Sequence, residues 1–271
     1  MPIDPQASVH PTAEIDPTAE IGPGCIVGAG ARIGAHTKLW PNVFVAERAI
    51  IGAENELHMG VVIGHVPQDL GYDNSPTLAR IGDRNTFREY ATVHRASRPD
   101  GETVVGNDNF FMCNTHIAHD ATVGSNVIIA NASCLAGHAQ VDDGAFISAN
   151  VLVHQFVRVG RLVMVAPLST VLQDFPPFSL GGGRRAQVHG MNVVGMRRAG
   201  LDKTARLRVQ RDQRTLYRSG LTTTEALEVL KQERSLETNE LIAFVEDSRR
   251  GIASFGPSER EANDSDDHFD D

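Results

Sequence analysis

Counted in steps of six from Val9, the chain places an apolar residue at Val9, Ile15, Ile21, Val27, Ile33, Leu39, Val45, Ile51, Leu57 and Ile63. The phase fails at Asp69 and Ser75, returns at Ile81, Phe87 and Val93, fails at Pro99, and then runs unbroken from Val105 to Val171. Of these 28 positions 25 are apolar. Helices repeat every 3.6 residues and strands every 2, so neither alone generates the pattern. A short strand followed by a corner does. The apolar residue points inward, and the glycine that follows it in nine repeats, Gly28, Gly34, Gly52 and Gly124 among them, supplies a positive φ or a close backbone approach. With three such strands to a coil of eighteen residues, the chain is expected to be mainly β: a left-handed parallel β-helix over residues 1–178, followed by a C-terminal α-helical domain.

Because the phase survives its failures, residues 64–80 and 94–103 are expected to be loops expelled from the coil, prolines and polar side chains being unsuited to inward positions. The repeat stops at FPPF, residues 175–178, where paired prolines end strand structure. Residues 179–256 then read as helical. One helix is expected near 190–199, stopped by Gly200; a second is capped by Asp202 and ends at Gly220; a third follows Thr223 and a fourth lies near 237–249. Residues 257–271 carry seven acidic side chains against Arg260 and read as an acidic disordered tail.

No stretch approaches the ~18 consecutive apolar residues of a membrane span, and the opening MPIDPQASVHP has neither the basic nor the apolar segment of an export signal, so a cytoplasmic protein is expected. Three cysteines without paired spacing argue against a disulfide framework or a zinc knuckle. The net charge of −9 argues against nucleic acid as a partner.

In an eighteen-residue coil, positions i, i+18 and i+36 lie one above another, about 4.8 Å apart. The column of His119 then continues to Gly137 and Gln155, and that of Asp120 to His138 and Phe156, with His116 and His154 close by. Four histidines and an aspartate are expected to converge on one edge. Zinc would want three imidazoles with their outer nitrogens fixed, a task Asp120 could perform. Asp120 is equally suited to holding the tautomer of a histidine that accepts a proton. Gly137 above His119 favours this second role, because its N–H can approach a developing oxyanion. No serine or cysteine shares these columns, which argues against a covalent intermediate and favours general-base catalysis with acyl transfer directly to an acceptor hydroxyl.

With "IGDRNTFREYATVHR", "NTHIAHDATVG", "NASCLAGHAQVDD", "VLVHQFVRVG", "QDFPPF", "NVVGMRRAG" and "LYRSG" in that order, about residues 5–250 resemble the UDP-N-acetylglucosamine O-acyltransferases that begin lipid A synthesis. The resemblance implies that His119 is the base on the glucosamine 3-hydroxyl, Asp120 its orienting partner and Gly137 the oxyanion donor. It implies that His116 and His138 line the sugar and acyl site, that His154 and Gln155 hold the nucleotide sugar, and that Asp69 contacts the acceptor. Asn192 and Arg198 would help bind the nucleotide and the phosphopantetheine of an (R)-3-hydroxyacyl carrier protein. A homotrimer without metal or other cofactor is implied. Residues 184–218 fit an acidic carrier protein or a diphosphate, with ten Arg or Lys against Asp202 and Asp212. Gly71 and Ala199 stand where the family usually has basic residues. Pro167 stands where the family limits the depth of the acyl groove, often with glycine, so it is an expected determinant of acyl length.

Two other classes remain. A γ-type carbonic anhydrase shares the coil and a histidine zinc site, but its paired histidines are typically five apart rather than three. A non-catalytic scaffold would use the coil as an assembly surface. The related N-acyltransferase of the same pathway carries an N-terminal uridine-binding domain, for which a repeat beginning at Val9 leaves no room.

Overall fold

Short parallel strands, most of them two residues long, recur every six residues from Ser8–Val9 to Thr170–Val171 in the computed structural model, which describes residues 3–233 and 235–256. Among the described residues they stack into three sheets of nine, eight and ten strands, the three walls of a left-handed parallel β-helix. The register is eighteen residues along His116, Cys134, Leu152 and Thr170. Two rungs depart from it: Val62 pairs with Thr92, and Thr92 with His116. The additional chain leaves the coil as loops 66–77 and 95–101. These are narrower than 64–80 and 94–103, because strands Val62–His65, Leu78–Ile81, Thr92–His94 and Glu102–Val105 lengthen to pair at the loop bases.

The inward column Val27, Val45, Ile63, Val93, Ile117, Leu135 and Val153 is fully buried, each side chain contributing about 1.5–3 kcal/mol. Phe87 and Phe111 stack within the coil with centroids 4.6 Å apart. The corners differ from expectation in one respect. Positive φ falls three residues after the inward position, at Gly24 and Gly30 but equally at Arg48, Tyr90, Asp120, His138 and Phe156. Of the glycines directly after the inward residue, Gly64 alone among the described residues has positive φ, at +78°, and the others serve close approach: a Cβ on Gly34 would lie 2.5 Å from the carbonyl carbon of Gly52 in the next coil.

A ladder of buried asparagines ties successive coils together. Asn85 Nδ2 donates to Asn55 Oδ1 and to the Gly106 carbonyl, both at 2.9 Å, and Asn85 Oδ1 accepts from Asn109 N–H at 3.0 Å. Asn85→Ala would strand these partners without water. It is expected to cost about 2–4 kcal/mol, seen as a lower midpoint in urea unfolding; an unchanged midpoint would contradict the structural role of the ladder.

The FPPF segment does not end the sheet. Pro176 and Pro177 occupy a corner, after which Ser179–Gly182 pairs in parallel with Met164–Val165 and turns back antiparallel as Gln187–Met191. This hairpin falls within the segment read as helical, so the coil wall extends past 178 to 191. Among the described residues four helices follow: α1 (Val193–Arg198), α2 (Lys203–Arg218), α3 (Thr223–Leu230) and α4 (Leu236–Glu246). Asp202 accepts from Ala205 N–H at the start of α2, and Thr222 and Glu225 form a capping box on α3. Arg158 lies over the Phe244 ring, 4.1 Å from its centroid, and Arg161 pairs with Glu240 at 2.7 Å, which fastens α4 to the coil. Residues 257–271, read as an acidic tail, lie outside the described residues. Among the described residues no helix is long and apolar enough to cross a membrane.

Candidate active site

Strand His116–Ile117 runs into a corner at which Asp120 has φ +58°. The corners above it hold His138 at +60° and Phe156 at +63°. A left-handed corner costs a non-glycine residue of order 1 kcal/mol or more, and here it gathers side chains from three coils. His138 N–H donates to the His119 carbonyl at 3.0 Å. The His119 and His138 rings meet edge to face with centroids 5.4 Å apart, and His138 stacks on Phe156 at 4.5 Å.

Asp120 Oδ2 lies 2.7 Å from His119 Nδ1 and 3.7 Å from His138 Nε2. The same oxygen accepts from the Ser97 amide at 3.0 Å and the Ser97 hydroxyl at 2.9 Å. The Asp120 N–H is held by Thr103 Oγ1 at 2.8 Å. Gly137 lies against the imidazole of His119: a Cβ there would be 2.6 Å from Cε1 and 2.7 Å from Nε2. Its N–H has no acceptor among the described residues.

Burial opposes ionisation of Asp120, but hydrogen bonds from His119 and Ser97 outweigh it and hold the carboxyl below its ordinary range. An ionised Asp120 takes a proton on His119 Nδ1, which leaves Nε2 with its lone pair. Asp69 is also held low, first by the Gly71 N–H and then by Ser97. Burial pushes His138 down, with Asp120 pulling it partly back and Arg98 and His119 adding to the depression. His116 is lowered by burial and by His119.

The expected convergence of four histidines is therefore half realised. His116 points across its own sheet to Thr92 Oγ1, 2.7 Å away, and meets His94 edge to face at 5.0 Å. The Nδ1 of His154 lies 3.2 Å from the carbonyl oxygen of Gln155, and Gln155 itself is exposed. Asn192 and Arg198 lie elsewhere, lining a cavity of about 910 Å³ between α1 and the sheet that holds Phe146, Met164 and Leu180. That sheet is the wall opposite the His119 corner. The Asn192 carboxamide caps α1 through Gly195 N–H at 2.9 Å and donates to the Leu162 carbonyl at 2.8 Å. Pro167 is exposed at a corner of the upper coils. The basic segment is partly neutralised internally, because Arg208 pairs with Glu237 and Arg211 with Asp212 and Glu233. Ser97, Thr103 and His94 were not legible beforehand: Ser97 and His94 lie in the span where the six-residue count slips, and nothing in the pattern singled out Thr103.

His94 is buried with an unpartnered Nδ1, and burial followed by His116 and His65 lowers it to about 4. A histidine depressed in the folded state leaves stability untouched above its unfolded value near 6.5. Below that the unfolded chain takes up the proton first, so stability falls progressively from about pH 6.5 to about pH 4. His94→Gln is expected to flatten this limb of a stability–pH curve; an unchanged limb would assign the acid loss to other groups.

His119, Asp120 and His138 offer ligand atoms within 4.8 Å of one another, so they are also the residues that would hold a metal ion. Neighbouring ligands on a tetrahedral zinc stand about 3.3 Å apart. The 2.7 Å separation of His119 Nδ1 and Asp120 Oδ2 is instead that of a charge-assisted hydrogen bond, and Ser97 occupies the same oxygen.

Residues 102–137, the coils carrying His116, His119, Asp120 and Gly137, match the bacterial transferase hexapeptide family (six repeats), and residues 174–253 match the family described as UDP N-acetylglucosamine O-acyltransferase, domain 2. An acyl-[acyl-carrier-protein]–UDP-N-acetylglucosamine O-acyltransferase of Janthinobacterium sp. (strain Marseille) is 41% identical over 207 residues, 74% of this chain and 79% of that protein. The chain belongs to the UDP-N-acetylglucosamine O-acyltransferase family. Solved members superpose closely. The acyltransferase of Francisella novicida is 34% identical with a TM-score of 0.92, covering 96% of this chain and 98% of that one. The acyltransferase of Moraxella catarrhalis is 38% identical with a TM-score of 0.90, covering 93% and 100%. The chain is thus an acyltransferase, and the family match over 174–253 takes in the hairpin at 179–191 together with the four helices.

Proposed function

We propose that the chain transfers an (R)-3-hydroxyacyl group from the phosphopantetheine thioester of an acyl carrier protein to the 3-hydroxyl of UDP-N-acetylglucosamine, the first step of lipid A synthesis, in the cytoplasm. The observation that carries the mechanism is the His119–Asp120 hydrogen bond of 2.7 Å with Gly137 against the free side of the same imidazole. His119 Nε2 takes the proton of the acceptor hydroxyl as its oxygen attacks the thioester carbonyl. The tetrahedral oxyanion faces the Gly137 N–H. Collapse breaks the carbon–sulfur bond, and the imidazolium returns its proton to the departing thiolate. Asp120 stabilises the imidazolium between the two proton transfers.

Asp69, His116, His138, His154 and Gln155 are proposed to contact the sugar, nucleotide and acyl groups, and Asn192 and Arg198 to serve the nucleotide and phosphopantetheine. The His119 corner and the Arg198 cavity lie on opposite sides of one prism, and a homotrimer in which one subunit's corner faces its neighbour's wall would join them. The unpaired cations of the segment 184–218 would receive the acidic carrier protein.

The test is transfer from a panel of (R)-3-hydroxyacyl carrier proteins of graded chain length to UDP-N-acetylglucosamine. Transfer peaking at one length supports the proposal; no transfer from any donor refutes it. In the same panel, Pro167→Gly is expected to move the optimum to a longer chain, because a ring at the end of the proposed acyl groove would shorten it. An unmoved optimum removes Pro167 as a length determinant.

A further inference from the structure

Loop 95–101 leaves the coil after Thr92–His94 and returns as Glu102–Val105, the strand that pairs with Thr122–Val123 directly after Asp120. It therefore starts and ends beside the catalytic corner. Inside it, Gly101 N–H donates to the Arg98 carbonyl at 2.9 Å, a tight turn that folds the loop back over Asp120. A Cβ on Gly101 would come within 3.3 Å of Asp120 Oδ1. The turn delivers both the amide and the hydroxyl of Ser97 to Asp120 Oδ2, the oxygen that also holds His119.

We infer that Ser97 is a positioning residue of the acyl transfer, fixing the Asp120 carboxylate so that His119 is held in one tautomer and one orientation. The inference rests on the assignment of His119 as the base. Three donors meet on one oxygen of a carboxylate whose side chain is only 9% exposed, so the carboxylate cannot turn without losing all three. A hydroxyl spent on Asp120 has its proton directed away from substrate, which makes Ser97 a support and not a nucleophile. The adjoining titratable and charged groups are Asp69 from loop 66–77, Arg98 on the same loop, His138 from the next coil, and His116 and His94 from the neighbouring strands. Of these, Asp69 also faces the Ser97 hydroxyl, and the others keep their partners when Ser97 is replaced.

Ser97→Ala removes the hydroxyl donor and keeps the amide. The charge of Asp120 is then less dispersed and pulls harder on the His119 proton, so the imidazolium forms more readily. kcat is expected to fall about tenfold, the lower end of what one hydrogen bond to a charged group contributes, with both KM values within about twofold. The acid limb of the kcat/KM profile is expected to move to higher pH by about half a unit, and Ser97→Thr, which retains the hydroxyl, to restore both. Imidazole nitrogen NMR of His119, assigned with His119→Gln, reports the same shift without any turnover. Unchanged kcat and an unchanged His119 titration in Ser97→Ala would overturn the inference, as would a threonine variant no better than alanine. Should the wild-type protein transfer no acyl group, the proposed function fails, and the NMR comparison still decides the role of Ser97.

Discussion

His119→Ala is expected to lower kcat about a thousandfold, within the range contributed by a positioned general base, while the melting midpoint moves by the equivalent of about 1 kcal/mol or less. The two effects separate because of where the ring sits. His119 lies outside the buried coil, on a corner whose backbone is fixed by its neighbours: Asp120 N–H to Thr103 and His138 N–H to the His119 carbonyl. Removing the imidazole takes away the ring nitrogen presented against Gly137, and it leaves Asp120 still bound to Ser97. KM values are expected to change little, since the proposed contacts to the sugar and the carrier are made by other side chains. Steady-state kinetics with thermal melting of the same preparation checks this. A variant retaining a tenth or more of wild-type kcat would remove His119 from the role of base.

Gly137→Ala is expected to have the next largest effect, about a hundredfold in kcat. Gly137 has no positive φ, so alanine is acceptable to the backbone. The added methyl, however, would lie 2.6–2.7 Å from two atoms of the His119 ring, and the ring must move away. A displacement of about 1 Å is enough to cost two orders of magnitude when it misaligns reacting groups. The ring would also pull on Asp120, so the substitution strikes the base, its support and the oxyanion donor together. Wild-type kinetics from Gly137→Ala would mean that substrate reacts on a different side of His119. A protein with lower kcat and an intact melting curve is the expected outcome.

The fold was legible because one physical requirement repeats: every sixth side chain must fill a narrow apolar interior, and Val27, Ile117 and Val153 do so wherever the coil is regular. What the repeat does not encode was missed. The left-handed corner position accepts Arg48, Tyr90 and Phe156 as well as glycine, and its location could not be read from glycines. The hairpin at 179–191 has too few inward residues to show a phase, and Pro176 and Pro177 resembled a terminus because they occupy a corner. Column arithmetic placed His119, Gly137, Asp120 and His138 together correctly because corner side chains project outward from stacked backbones. It overstated His116, which is in a strand and leans across its sheet to Thr92. Ser97 escaped because an expelled loop has no column, and its contact with Asp120 is made by a turn whose path the sequence does not specify.

The proposed base mechanism runs without a metal ion at the His119, Asp120 and His138 cluster. The measurement that tests it most directly is acyl transfer to UDP-N-acetylglucosamine by protein stripped of metal and assayed with a chelator present, the product analysed for its linkage. Undiminished transfer, yielding an alkali-labile ester on the sugar, is the predicted result. Loss of transfer on stripping, restored by zinc, would contradict it and assign the same three side chains to a metal centre.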